Sequence, residues 1–321
     1  MCSVAVTYGE TSSTYAFPEG HPMSSNRATA FWAEMKRRNL PGTEGVKIYD
    51  PVEASHEDLR LFHTEHYITL VQRASETGVG LLDQGDTPAF KGVFEASSRV
   101  VGSTLLGLSL VMNGKADHAF NPIGGLHHAR SGSAAGFCVF NDAAIAIVKA
   151  KQKYRLNRIL YVDIDAHHGD GVFYAFYDNP KVFIADIHED GRYLYPGTGR
   201  REERGGRNAE GTKLSIPLPP ESGDEQFEKA FKEVEEFTAT SKPDLILFQC
   251  GGDGLKGDPI THLRYTPKAH RYAAEQLHQI AHQYSRGRIL AMGGGGYNPE
   301  NTAKAWTEVI EAFLTKRSGR L

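Results

Sequence analysis

Short apolar runs alternate along this chain with longer amphipathic stretches, and this alternation restricts the fold more than any other feature. The predicted strands are 4–8, 46–49, 159–165, 182–187, 214–217, 245–250 and 289–292. The predicted helices are 25–38, 91–112, 142–154, 224–238, 267–284 and 299–313. Strands separated by helices are typical of a mostly parallel sheet covered by helices on both faces. We therefore predict a three-layer α/β fold with a central, mostly parallel sheet.

The sequence offers no sign of a second domain. Its 321 residues contain no internal repeat, low-complexity tract or linker, so residues 1–321 are predicted to form a single domain. The formal charge of −3 is spread along the chain, and nucleic acid is therefore not an expected ligand. Three cysteines are too few and too scattered for a disulfide framework or a thiolate zinc site. With no signal peptide and no apolar stretch of roughly 18 residues, we expect a cytoplasmic protein that does not bind membranes.

Polar and glycine residues follow three of the predicted strands at their carboxyl ends. These residues are Asp165, His167, His168, Asp170, Gly251, Gly252, Asp253, the glycines at 293–296 and Tyr297. Ligands of open α/β sheets bind outside the carboxyl ends of the strands. The three strand ends are therefore predicted to meet at one functional site.

Two carboxylates stand close together at the end of the strand predicted at 159–165. In an extended strand Asp163, Asp165 and His167 share one face, because successive side chains alternate between faces. A buried carboxylate costs several kcal/mol unless a cation or several donors compensate it. The pattern therefore indicates a metal ion. Asp253, taken alone, suits a helix cap or turn as well as a ligand.

The adjacent histidines His127 and His128 gain meaning from these acids. Asp163 and Asp170 can each accept a hydrogen bond from an imidazole N–H, which fixes the tautomer and basicity of the ring. Two His-Asp pairs are the predicted result. His168 is predicted to be structural.

Six segments form an ordered set of motifs from about residue 21 to residue 306. They are Gly125-Leu-His-His-Ala, Gly136-Phe-Cys-Val-Phe-Asn-Asp, Asp163-Ile-Asp-Ala-His-His-Gly-Asp-Gly, Tyr195-Pro-Gly-Thr-Gly, Gln249-Cys-Gly-Gly-Asp with Gly257-Asp-Pro, and Gly293-Gly-Gly-Gly-Tyr-Asn. Together they resemble the zinc-dependent histone deacetylase and acetoin-utilisation family, of the bacterial or archaeal type. The resemblance implies the arginase/deacetylase fold and removal of acetyl or short acyl groups from lysine ε-amines.

The resemblance also implies a metal centre. Its ligands would be Asp165, His167 and Asp253, binding Zn²⁺ with Fe²⁺ or Co²⁺ as substitutes. Three nitrogen and oxygen ligands leave open positions for water and a substrate carbonyl, as catalytic zinc requires.

Proton transfer and charge stabilisation are assigned by the same resemblance. His127 and His128 would handle protons, backed by Asp163 and Asp170 respectively, and the Tyr297 hydroxyl would stabilise the developing oxyanion. In the family His128 is the favoured base and acid and His127 is mainly electrostatic. The sequence alone does not decide that division.

Residues around the reaction centre complete the resemblance. Those predicted to contact substrate are Asp86 at the rim, Gly136, Phe137 and Tyr195 in the acyl-lysine tunnel, Ile260 and Gly295. Tyr195 is a departure, because many relatives carry Phe there. Arg27 resembles the arginine that lines the channel for acetate release.

A second ion, K⁺ or Na⁺, is implied beside the metal. Its predicted site involves Asp163, Asp165, His167, Asp186 and Ile187. Asp186 replaces a Ser found in many relatives, so its carboxylate can either strengthen binding of the monovalent ion or pair with a nearby cationic group.

Three other functions are alternatives to deacylation of peptides or proteins. Acetylpolyamine deacetylation is disfavoured by Ile260, which stands where polyamine enzymes carry a Glu, although Glu19, Asp83 and Asp86 can supply negative charge at the rim. Arginase-like chemistry needs carboxylates for a second metal, whereas Leu255 stands two residues after Asp253. A silent acyl-lysine binding protein would not need the complete catalytic set. The physiological substrate, the acyl preference and the oligomeric state are not predicted.

Overall fold

A computed structural model describes residues 1–315, and in this part of the chain eight parallel strands form one sheet. The strands are β1 Val4–Thr7, β2 Val46–Tyr49, β3 His118–Asn121, β4 Ile159–Asp163, β5 Val182–Glu189, β6 Lys213–Leu218, β7 Leu245–Gln249 and β8 Ile289–Met292. Their spatial order is β2-β1-β3-β8-β7-β4-β5-β6. The predicted fold class, a parallel sheet flanked by helices, is confirmed.

Helices cover both faces of this sheet. They are α1 Asn26–Arg37, α2 His56–Leu59, α3 Glu65–Thr77, α4 Val93–Met112, α5 Asp142–Lys153, α6 Asp170–Ala175, α7 Asp224–Ser241, α8 Pro267–Tyr284 and α9 Pro299–Phe313. The central strand β4 shows how the layers are built. Leu160 and Val162 pack into the core beneath α7, α8 and α9, whereas Ile159 and Tyr161 pack into the core beneath α4 and α5. A strand buried on both faces is the expected reason for its continuous apolar sequence.

Strand β3 was not predicted, and neither were the helices α2, α3 and α6. The four residues of β3 begin with His118 and end with Asn121, which are not typical strand residues. Pairing with β1 on one side and β8 on the other holds this short segment extended. Tertiary pairing therefore outweighs local propensity here.

The prediction that the strand continues to residue 165 is wrong, because β4 ends at Asp163. The chain then turns, and Asp170 begins α6 instead of lying in a loop. Asp163 is paired in register with Asp186 of β5 and Gln249 of β7, so polar side chains align across three neighbouring strand ends. Within the described residues no helix is both long and apolar enough to cross a membrane.

Ion pairs join the outer helices α1, α8 and α9. Arg38, just after α1, binds Glu34 at 2.8 Å, Glu308 at 2.8 Å and Glu311 at 3.1 Å. Arg271 of α8 also binds Glu308, at 2.6 Å. A network that shares its charges among three helices is more favourable than an isolated surface pair.

We expect Glu34→Gln to lower the free energy of unfolding at pH 7 by about 1 kcal/mol, after allowing for screening by water. Hydrogen bonds from Arg37, together with Arg38, outweigh partial burial and lower the pKa of Glu34 to about 2. Its folded pKa is therefore below the ordinary value of 4.5, so the stabilisation is complete above pH 4.5 and is lost as pH falls towards 2.

Urea unfolding at several pH values checks this prediction. The difference between wild type and Glu34→Gln should shrink as pH falls from 5 to 3. Arg37→Ala is the control, because the side chain of Arg37 is 66% exposed. It should lower the free energy of unfolding by less than Glu34→Gln does. A difference between wild type and Glu34→Gln that does not change with pH would contradict the assignment.

Candidate active site

Three candidate metal ligands meet at the carboxyl end of the sheet. Asp165 and His167 lie in the loop after β4, and Asp253 lies in the loop after β7, the neighbouring strand. One ligand atom from each residue lies within 4.8 Å of the other two. All three residues are buried. The sheet topology therefore brings together side chains separated by more than eighty positions in the sequence.

The two carboxylates are oriented by hydrogen bonds on one side and directed at His167 on the other. Asp165 Oδ2 accepts hydrogen bonds from Gln249 Nε2 at 2.7 Å and from Gly295 N at 2.8 Å. Asp253 Oδ1 accepts one from Ala166 N at 2.8 Å. The remaining oxygens, Asp165 Oδ1 and Asp253 Oδ2, lie 3.1 and 2.9 Å from His167 Nδ1. One nitrogen and two oxygens thus converge, which is a donor set that suits catalytic Zn²⁺.

The charges of this centre also favour a cation. Burial, reinforced by the negative charge of Asp165, raises the pKa of Asp253 to about 7. For His167, burial lowers the pKa, but hydrogen bonds with Asp165 and Asp253 outweigh it and raise the pKa to about 10. A proton on the imidazole offsets part of the buried negative charge. A divalent cation would take the place of that proton, because metal ligands must be deprotonated.

Two glycines leave the space that this centre needs. A Cβ atom at Gly251 would lie 2.1 Å from Asp165 Oδ2, and a Cβ atom at Gly295 would lie 2.3 Å from Asp253 Oδ2. Any side chain at either position would displace a carboxylate. Gly295 therefore contributes through its backbone, whose N–H donates to Asp165.

His127 and His128 form a continuous hydrogen-bonded chain with two carboxylates. His127 Nδ1 lies 2.8 Å from Asp163 Oδ2, the two Nε2 atoms lie 3.1 Å apart, and His128 Nδ1 lies 2.7 Å from Asp170 Oδ1. Each of these three contacts needs one proton. The four ring nitrogens therefore hold three protons, so the pair carries one positive charge and shares the proton between its Nε2 atoms.

The surroundings decide which histidine holds that charge. Burial lowers the pKa of His127, but the carboxylates of Asp163 and Asp165 outweigh burial and raise it to about 10. Burial, together with the positive charge of His127, lowers the pKa of His128 to about 4. The neutral ring at pH 7 is therefore His128, whose Nε2 accepts the hydrogen bond from the Nε2–H of His127.

Tyr297 lines the same narrow cavity as His127, His128 and Asp165. Its backbone N–H donates to Asp258 Oδ2 at 2.7 Å, so a buried carboxylate positions the residue. Burial raises the pKa of the Tyr297 hydroxyl well above its ordinary value. The phenol therefore remains protonated and can act as a hydrogen-bond donor.

Arg27 lies behind the glycine-rich turn. Its Nε donates to Gly296 O at 2.7 Å and its Nη2 donates to Gly294 O. The guanidinium also stacks over the rings of Tyr297 and Trp306, with its Cζ atom 5.8 and 5.4 Å from the centroids. Arg27 thus supports the turn that carries Tyr297.

Two aromatic rings contact residues of the site. The Tyr195 ring contacts His128 and His167, with centroid separations of 5.1 and 6.4 Å, and the Phe137 ring meets Tyr297 edge-on at 5.7 Å. Gly136 between them has φ +51°, and a Cβ there would lie 2.5 Å from His128 Cδ2. The close approach to His128 therefore requires glycine.

The residues predicted for a monovalent ion are in part engaged with one another. Asp186 Oδ1 lies 2.6 Å from His188 Nδ1, and Asp186 Oδ2 accepts a hydrogen bond from Gly169 N at 2.9 Å. Pairing with a cationic group was one of the two predicted roles of Asp186, and this geometry favours it. The Ile187 side chain packs in the core, so only its backbone can face an ion. Asp163 is shared with the His127 pair through Oδ2.

Two of the predicted substrate contacts lie away from the metal ligands. Asp86 is exposed, and its backbone carbonyl lies 3.0 Å from His21 Nε2. Ile260 is half-buried, and its N–H donates to Asp258 Oδ1 at 3.1 Å. Asp258 therefore links the backbones of Ile260 and Tyr297. His168 is hydrogen-bonded to Thr198 Oγ1 at 2.8 Å and lies outside the metal cluster.

The residues that hold the backbone around the histidine pair were not predicted from the sequence. Asp142 accepts hydrogen bonds from Gly125 N and Leu126 N, which sets the turn before His127. Asn141 caps α5 and also donates to Ala129 O at 2.9 Å. The Asn-Asp pair at the start of an amphipathic stretch signalled a helix start but not these long-range contacts. Only the folded chain brings the turn beside α5.

Comparison with known proteins places this site in a family. A model of the histone deacetylase domain matches residues 21–313. The acetoin utilization protein AcuC of Bacillus subtilis is 41% identical over 315 residues, covering 94% of this chain and 81% of that protein. AcuC of Staphylococcus xylosus is 37% identical over 309 residues, with 94% and 80% covered. The crystal structure of the HDA15 HD domain superposes with a TM-score of 0.89 at 26% identity, covering 98% of this chain and 90% of that one.

The chain belongs to the histone deacetylase family and has the arginase/deacetylase fold. The resemblance seen in its motifs is therefore confirmed, and its general activity is that of a deacetylase.

Proposed function

We propose that this protein removes acetyl or short acyl groups from lysine ε-amines in peptides or proteins by metal-dependent hydrolysis. One observation carries the proposal. Asp165, which meets His167 and Asp253 at one candidate metal centre, lines a narrow cavity together with His127, His128 and Tyr297. A metal centre, a proton-transfer pair and an oxyanion donor are the three groups that amide hydrolysis by activated water needs.

Asp165, His167 and Asp253 would hold Zn²⁺, or Fe²⁺ or Co²⁺ in its place. When bound, such an ion polarises the amide carbonyl and lowers the pKa of a water molecule. The proton from that water would pass to the neutral His128, while the charged His127, paired with Asp163, stabilises negative charge nearby. The pair would then return a proton to the departing lysine amine.

The remaining residues would bind and orient the substrate. The Tyr297 hydroxyl would donate a hydrogen bond to the carbonyl oxygen as its negative charge grows. The rings of Phe137 and Tyr195 would flank the apolar lysine side chain, with Gly136 and Gly295 providing backbone close to it. Asp86 would bind the substrate backbone at the rim. Arg27 would accompany acetate on its way out.

A lysine substrate is favoured over a polyamine by the residue near Tyr297. Ile260 is connected to the tyrosine loop through Asp258 and presents an apolar side chain. A polyamine carries a distant ammonium group that needs a carboxylate partner, and Ile260 cannot supply one. The carboxylates of the exposed Asp86 and the half-buried Asp83 are the features that favour the alternative.

Parallel assays with an acetyl-lysine peptide and an acetylpolyamine test the substrate assignment. The wild type should show the higher kcat/KM with the peptide. Ile260→Glu should raise kcat/KM for the polyamine relative to the peptide by about tenfold, which corresponds to about 1.4 kcal/mol. Ile260→Gln is the matched control of similar size without charge. Faster polyamine cleavage by the wild type would overturn the lysine assignment, and binding without turnover of either substrate would indicate a silent binding protein.

Removing Asp258 tests the positioning of Tyr297. Asp258→Ala should lower kcat for the peptide by about tenfold, the scale seen when a supporting hydrogen bond to an active-site group is lost. Its carboxylate holds the backbone of both Tyr297 and Ile260. Metal content should be unchanged. Asp244→Ala is the control, because Asp244 also binds two backbone amides, those of Asn157 and Arg158.

We also propose that residues 1–321 work as one catalytic domain in the cytoplasm and that K⁺ or Na⁺ binds beside the metal centre. The continuous eight-stranded sheet supports the first statement. The buried carboxylate of Asp163, at the carboxyl end of β4, supports the second.

A further inference from the structure

A second cluster of metal-ligating side chains lies at the opposite edge of the sheet. It consists of Cys2, His118, His278 and His282, each offering one ligand atom within 4.8 Å of the others. Cys2 precedes β1 and His118 begins β3, so both stand at the amino ends of their strands. The candidate active site is at the carboxyl ends. The four residues of β3 span about 10 Å between these two ends of the sheet, at about 3.3 Å per residue.

The contacts inside this Cys2 cluster approach those of a tetrahedral metal site. Cys2 Sγ lies 3.3 Å from His282 Nε2, and His118 Nε2 lies 3.0 Å from His278 Nδ1. Bonds of about 2.05 Å to nitrogen and 2.3 Å to sulfur would put tetrahedral ligands about 3.3 Å apart for two nitrogens and 3.6 Å apart for sulfur and nitrogen. Small rotations of the side chains would therefore admit an ion.

The backbone holds these ligands in place before any ion binds. The Asp117 carboxylate accepts hydrogen bonds from the N–H and the hydroxyl of Ser3 at 2.8 and 2.9 Å, which ties the residue after Cys2 to the residue before His118. His118 N also donates to Ser3 O at 3.0 Å. The negative charge of Asp117 would offset part of the charge of a bound cation.

The other two ligands come from one face of α8. His278 and His282 are four residues apart in this helix, the spacing by which two histidines on one face bind zinc. Gly287, with φ +83°, packs against the His282 ring so closely that a Cβ would lie 2.7 Å from Cε1. Cys2, His118 and His278 are buried, whereas His282 is only half-buried and leaves a route for an ion to enter.

We propose that Cys2, His118, His278 and His282 form a structural Zn²⁺ site separate from the catalytic centre. Four protein ligands close the coordination sphere, which distinguishes a structural zinc from a catalytic one. The Cys2 thiol loses its proton to solvent when the ion binds. The ion joins the start of the chain, β3 and α8, and so stabilises the amino edge of the sheet. This proposal differs from the expectation, drawn from the sequence, that the three cysteines are too few and too scattered for a thiolate zinc site.

Cobalt substitution separates the two centres, because only the Cys2 cluster offers a thiolate among its ligands. The purified protein, stripped of metal and titrated with Co²⁺, should bind two ions per chain and develop a thiolate-to-cobalt charge-transfer band in the near ultraviolet. Cys2→Ser should lose the band and one equivalent of metal. Cys138→Ser and Cys250→Ser are residue-matched controls and should keep the band.

The wild-type titration does not depend on catalytic activity or on the folding of any variant. A wild type that binds one Co²⁺, or binds two without a thiolate band, overturns the proposal. A band that persists in Cys2→Ser overturns it as well. His282→Gln provides a second test, since it should also lose the band and should gain less thermal stability from added Zn²⁺ than the wild type, which keeps both sites. Loss of the band in Cys138→Ser instead would assign the thiolate to the active-site cavity, which Cys138 lines.

Discussion

Asp253→Asn is expected to lower kcat/KM for an acetyl-lysine peptide by at least about 10³, because the metal lowers the pKa of its bound water from 15.7 to about 7. The carboxylate of Asp253 directs Oδ2 at the shared centre and anchors Oδ1 on Ala166 N. An amide in its place keeps the size but loses the negative charge that binds the cation. Metal analysis should show one equivalent fewer per chain than the wild type.

Chelation and reconstitution of the wild type provide the complementary measurement. Activity should disappear with the metal and return when Zn²⁺ is added. Asp244→Asn, which alters a carboxylate bound to the backbone at the opposite edge of the sheet, should keep its activity and metal content. Turnover by a metal-free protein, with its fold verified by circular dichroism, would refute metal-dependent hydrolysis.

Tyr297→Phe should lower kcat by about 10²–10³, equivalent to about 2.7–4 kcal/mol of transition-state stabilisation. The substitution removes only the hydroxyl. The ring keeps its edge contact with Phe137 and its place beside the Arg27 guanidinium. KM and metal content should change little, because the hydroxyl acts on charge that develops during the reaction.

Tyr195→Phe is the matched control for the loss of a phenol hydroxyl in the same cavity. Tyr195 is 46% exposed and contacts the histidines through its ring, so its hydroxyl should matter little to kcat. Equal turnover by wild type and Tyr297→Phe would remove the oxyanion role. A large loss in Tyr195→Phe would show that its hydroxyl, the departure from many relatives, takes part in catalysis.

The comparison of proton affinities at the histidine pair illustrates what a fold adds to a motif. Adjacent histidines and two acids could be recognised in the sequence, but their division of labour could not. The unequal surroundings of the two rings decide which ring of the pair carries the third proton. His127 lies near Asp163 and Asp165, whereas His128 is paired with Asp170 and lies next to the positive His127.

The sequence by itself determined the alternation of strands and helices, seven of the eight strands in the described residues, and the residues that follow their carboxyl ends. Local patterns carry this information because hydrophobic periodicity reports burial directly. It also determined the family, through motifs spread over most of the chain. Tertiary pairing and packing decided three further features. These are the early end of β4, the extended conformation of β3 and the start of α6 at Asp170.

Only the tertiary structure decided which distant residues meet. Asp258 supports Tyr297 from 39 positions away, and Cys2 stands beside His282 across 280 positions. No local periodicity encodes such contacts, because they depend on strand order and on the helix that returns to each edge of the sheet. The same parallel sheet therefore gathers the candidate catalytic residues at its carboxyl edge and the Cys2 cluster at its amino edge.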